Sequence, residues 1–150
     1  LMSIEWLFCS EQEATLKDVV EVEKKFDIKF PIDYIDCILE NHEGYPSLNV
    51  FDYGKVKGAV FNHLLSFNQQ EVDYLVQVRE NIKDRLIDRV YPFADTPGGD
   101  YLCFDYRTNE ENPPIVYWDH ELAYEDSEEG LFFVTNTFTE LLSKLYNDEE

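Results

Sequence analysis

Basic residues are scarce in this chain: 12 Lys and Arg stand against 32 Asp and Glu in 150 residues, a formal net charge of −20. A surface that negative repels phosphate backbones and anionic lipid headgroups, which argues against direct binding to nucleic acid or to a membrane. Long apolar runs are missing as well. No stretch approaches the roughly 18 consecutive apolar residues of a spanning helix, and no basic segment followed by an apolar one marks an export signal. The expected location is the cytoplasm. Cysteines are few and odd in number, Cys9, Cys37 and Cys103, with no CxxC pair among them. Neither a disulfide framework nor a zinc site is expected from such spacing.

What the chain does hold is apolar and aromatic mass. Hydrophobic residues make up 44% and aromatic ones 15%, enough for one well-filled core and too short a chain for two. A single domain over residues 1–150 follows, with an acidic tail from about 147 to 150. The charge is uneven: residues 1–89 carry 17 acids against 10 bases, whereas residues 90–150 carry 15 acids against Arg107 and Lys144 alone. Whatever this surface attracts should be basic.

Periodicity supplies the elements. Ser10 and Glu13 have the spacing of a capping box before the stripe Leu16, Val19, Val20 and Phe26. Pro31 suits the first turn of a second helix, with Tyr34, Ile35, Ile38 and Leu39 on one face. From Leu48 the period becomes two, and a Gly54 turn joins a short strand to an apolar run from Ala59 to Phe67. Asn68 then caps a third helix whose Val72, Leu75, Val76, Ile82 and Leu86 keep helical spacing and on which Arg79, Lys83, Arg85 and Arg89 lie. Strands follow at 91–94, 101–106 and 115–120, then an acidic loop at 125–130 and a final helix capped by Thr137 and Glu140. Strands grouped between helices imply an α+β domain built on a mostly antiparallel sheet of about five or six strands.

Catalysis finds little support in the pattern. Asp119-His120-Glu121 contains ligand and acid–base chemistry, yet on a regular strand His120 points away from its two neighbours, so the three cannot converge on one ion. The acid pairs at Glu110-Glu111, Glu128-Glu129 and Glu149-Glu150 sit in turns or at the terminus and read as solubilising. His42 and His63 lack a nucleophile in any known motif. Gly98-Gly99 has neither the Lys nor the following helix of a phosphate loop. No catalytic residue, cofactor or metal is expected. The alternation of Tyr101, Tyr106, Tyr117, Trp118 and Tyr124 with acids has instead the composition of a protein interface. The partner-binding set expected from it is Asp100, Asp105, Trp118, Asp119 and Glu121.

The order of landmarks resembles the SUKH superfamily: Trp6, Glu23, Pro31-x-x-Tyr34 and Asn41-x-x-Gly44, then Pro92-Phe93-Ala94, Gly98-Gly99-Asp100, a strand ending in Asp105, Val116 to His120, and Phe138-x-x-Leu141-Leu142. Phe26-Asp27-Ile28 and the longer Asn41-His42-Glu43-Gly44 depart from the usual pattern at two helix ends. The resemblance implies an α+β binding domain that in bacteria commonly serves as an immunity protein against a secreted polymorphic toxin, often a nuclease. The charge fits that function, because a nuclease must be basic where it holds phosphates. A regulatory protein-binding module, like the fungal cell-wall synthesis regulators of the same superfamily, is the alternative. A carboxylate hydrolase is a distant third.

Overall fold

Helix α1 (Leu16–Phe26) is capped five residues beyond Ser10, the cap expected from sequence. Thr15 is the cap: its hydroxyl accepts from the Asp18 amide at 3.1 Å while Asp18 accepts from the Thr15 amide at 2.9 Å. Ser10 is used differently, its amide donating to the His42 carbonyl at 2.9 Å and so tying the N-terminal segment to the loop after α2 (Ile32–Glu40). The computed structural model describes residues 3–147, so the acidic tail expected at the C-terminus lies almost wholly outside the described residues.

Among the described residues eight strands form three antiparallel sheets. β1 (Trp6–Leu7) pairs with β2 (Tyr45–Pro46), and β3 (Val50–Tyr53) pairs with β4 (Val56–Val60). β5 (Val90–Asp95), β6 (Tyr101–Asp105), β7 (Ile115–Trp118) and β8 (Leu131–Thr135) make a meander in that spatial order. The α+β class stands, while the strands divide differently from one sheet of five or six. The run from 61 to 67 is the reason: Phe61, Leu64, Leu65, Ser66 and Phe67 are all buried without alternation, so this segment threads the core and joins β5 through an isolated bridge between Leu64 and Ala94, with the Asn62 amide donating to the Asp95 carbonyl beside it. The third helix is also shorter than expected. α3 spans Leu75–Ile82 and tightens into a 3-10 turn at Lys83–Arg85, and Asn68 caps a turn before it by accepting from the Gln70 amide.

Both faces of the meander are covered, which is why β6 and β7 read as nearly continuous apolar runs. One face carries Tyr91, Leu102, Phe104, Ile115 and Tyr117, under α1, α2 and the closing α5 (Phe138–Lys144). Tyr34 from α2 sits among Phe30, Phe93, Phe104 and Phe138, with ring centroids 5.0–5.7 Å away. The other face carries Val90, Cys103, Val116 and Trp118, closed by Ile82, Leu86 and Ala123 of α4 (His120–Glu125). α4 and β8 were not legible as elements in the sequence. They matter most for what this protein can touch.

Candidate protein-binding surface

The five residues expected to bind a partner occupy different environments. Trp118 is 1% exposed and belongs to the smaller core, so it is a packing residue rather than an exposed anchor. α4 covers the part of the sheet face on which Trp118 lies. Asp105 is buried too. Its carboxylate takes the Arg107 guanidinium in a fork at 2.9 and 3.0 Å and the Arg107 amide at 3.0 Å. It fixes the strand end and offers little to a partner.

Asp100, at the end of the β5–β6 turn, is half-buried and accepts from the Tyr117 hydroxyl at 2.6 Å, from the His120 amide at 2.9 Å, and faces His120 Nδ1 at 2.5 Å. Asp119 caps α4, accepting from the Glu121 and Leu122 amides at 2.9 and 3.1 Å. Because the helix starts at His120, the chain turns there and does not continue as a strand. Asp100, Asp119 and His120 therefore do converge, their ligand atoms within 4.8 Å of one another. That is the spacing of a cation's ligands. In the described structure the same atoms knot the turn, the sheet and the helix start together. Tyr117 stacks on Tyr53 beside them at 4.1 Å, and burial, then the bond to Asp100, pushes its phenol well above the usual range.

Glu121 is exposed, and it opens a strongly acidic surface. Glu125, Asp126, Glu128 and Glu129 are exposed with it, on α4 and the 3-10 turn Glu128–Gly130 that follows. Three large apolar side chains in this segment face solvent: Leu122 is 45% exposed, Tyr124 77% and Phe133 56%. Phe133 lies opposite Val116 on β7, hence on the sheet face that α4 partly covers. Gly130 seats the helix. A Cβ there would meet the Ala123 Cβ at 2.6 Å, and the Gly130 carbonyl accepts from the Asp119 amide at 2.8 Å. Exposed aromatic and aliphatic groups ringed by acids can dock against a basic, partly apolar protein surface. Leu122 and Phe133 escaped the sequence reading because their elements did; the signal was Leu131 to Val134, an apolar run between Gly130 and Thr135.

Comparison with known proteins gives two findings. The SMI1 / KNR4 family (SUKH-1) profile matches residues 13–144. The "SPbeta prophage-derived uncharacterized protein YokK" of Bacillus subtilis (strain 168) is 30% identical over 69 residues, which is 46% of this chain and 33% of that relative. The matched stretch thus spans about a third of the relative's length.

Proposed function

Because the chain belongs to the SMI1 / KNR4 family (SUKH-1), we propose that it is an immunity protein, which binds a basic cognate toxin, such as a nuclease, and blocks it by occlusion. The observation that carries this is the surface at residues 121–133, where exposed Leu122, Tyr124 and Phe133 stand among Glu121, Glu125, Asp126, Glu128 and Glu129. Clustered acids raise the encounter rate with a cationic protein, and the apolar groups supply the desolvated contacts that slow its departure. Occupying the groove in which a nuclease holds phosphates is enough to stop it. The prophage origin of a relative accords with a toxin and antidote carried together.

The test is co-expression with the product of the adjacent gene. Restored growth of a host that expresses that product, with a stable complex of the two purified chains, is the expected outcome. A complex without any toxicity to relieve would favour a regulatory binding module, and no complex at all would remove the reading.

A further inference from the structure

Glu23 is an acid in the wrong place for a surface charge. It lies on the inner half of α1, is 7% exposed, and its Oε2 accepts from the Phe30 amide at 2.7 Å. Among the described residues no ammonium or guanidinium comes within 4.0 Å of it, and Oε1 accepts no hydrogen bond from the protein. Oε1 is thus the oxygen left open to solvent, and an enclosed carboxylate with one free oxygen and no counterion is suited to a cationic ligand. Glu23 lines a cleft of about 590 Å³ at the α1–α2 junction, walled by Ile28, Phe30, Ile32 and Tyr106. Its charge is felt inside: burial, then Glu23, pushes the Tyr106 phenol above its usual range. Lys24, Lys29 and Arg89 line the cleft as well, but neither lysine ammonium lies within 4.0 Å of a Glu23 oxygen and Arg89 is engaged elsewhere. Arg89 pairs with Glu110 at 3.3 Å and donates to the Asp27 carbonyl at 3.3 Å.

A second cleft of about 270 Å³ adjoins the first, sharing Pro31, Ile32 and Glu111, and adds Pro113 to the apolar lining. Exposed Ile32 forms the wall between them. We propose that this double cleft receives a cationic side chain, Arg or Lys, of the partner protein, with its charge on Glu23 and a flanking apolar residue in the smaller cleft. The proposal rests on the reading of the chain as a domain that binds a basic protein. A cation entering here gains a partly desolvated carboxylate already oriented by the Phe30 amide, together with Glu111 at the rim, which makes the interaction stronger than one on the open acidic surface.

The probe is a blocked tripeptide, Ac-Leu-Arg-Ala-amide, against its neutral citrulline counterpart, titrated into the uniformly 15N-labelled protein. The Phe30 amide, bonded to Glu23, is the reporter. The arginine peptide should move it saturably, with an affinity on the order of 1 mM, and the citrulline peptide should bind about tenfold more weakly. Glu23→Gln keeps an acceptor for the Phe30 amide and should erase that difference. Equal shifts from the two peptides on the unaltered protein, or shifts confined to residues 121–133, would overturn the proposal without any variant. If the adjacent gene's product binds Glu23→Gln as tightly as the unaltered chain, the immunity reading survives and the cleft is not its site. If the arginine peptide binds through Glu23 while that product does not bind at all, the cleft survives and the immunity reading falls.

Discussion

The indole N–H of Trp118 donates to the carbonyl oxygen of Arg85 at 3.1 Å, joining the end of β7 to the 3-10 turn that follows α3. The Arg85 guanidinium lies over the same ring, 5.8 Å from its centroid. One buried side chain thus closes the second face of the sheet and holds its cover in place. Trp118→Ala should cost roughly 3–5 kcal/mol of folding stability through the cavity it leaves and the lost hydrogen bond. Urea denaturation measures this. Affinity per folded molecule should be unchanged, and a variant of native stability with weakened binding would contradict the packing role.

The thiols give a pH signature. Burial is the first cause that pushes the Cys37 thiol from 9.0 up to about 12, and it raises Cys9 and the fully enclosed Cys103 as well. The folded chain therefore keeps the Cys37 proton where the unfolded chain has released it. The stability this contributes is fully present below pH 9 and is lost as pH rises from 9 toward 12, by up to about 1.4 kcal/mol per pH unit. Cys37→Ala should show a shallower decline of the denaturation midpoint over that window. Iodoacetamide near neutral pH should react with half-buried Cys9 and Cys37 slowly and with Cys103 only on unfolding.

Where sequence and structure agree, local signals and burial point the same way. Thr137 marks α5 because its capping bond to the Glu140 amide and the apolar spacing coincide, while Pro31, expected in the first turn of α2, stands just before it as an extended cap without a side-chain bond. At the N-terminus two rival capping boxes lie five residues apart, and the tie is broken by Ser10 bonding to His42, a contact no local pattern contains. The same holds at the site. Asp119 ends a strand and caps a helix at once, so reading it only as a strand end hid α4, left Trp118 on an open face, and kept His120 away from Asp100. The excess of acid was legible throughout, but which acids are free was not, since Asp105 and Asp100 are held by partners distant or hidden in the pattern.

Leu122, Tyr124 and Phe133 should separate binding from folding in the opposite sense to Trp118. Each Ala replacement should leave the unfolding free energy within about 0.5 kcal/mol of the parent. Tyr124→Ala or Phe133→Ala should cost on the order of 2 kcal/mol in binding to the proposed partner, expressed mainly as faster dissociation. Calorimetric titration alongside denaturation reads both, and full affinity in all three variants would move the interface away from α4 and β8.

The acids of the same surface should act on the other half of the kinetics. Replacing Glu121, Glu125, Glu128 and Glu129 with Gln removes four exposed charges from the most acidic segment while leaving every bond of Asp100, Asp105 and Asp119 in place. Exposed charges contribute little to folding, and easing repulsion in a chain of net charge −20 should hold stability constant or raise it slightly. Association steered by this patch should slow by roughly three- to tenfold at low ionic strength, and its salt dependence should flatten because fewer charges remain to screen. Dissociation should change much less. Asp105→Asn supplies the contrast: it breaks the fork with Arg107 at a nearly enclosed site, so it should lower the denaturation midpoint and leave the association rate where it was. Stopped-flow association across a salt series decides the matter, and equal salt slopes for the parent and the fourfold variant would exclude residues 121–129 from steering.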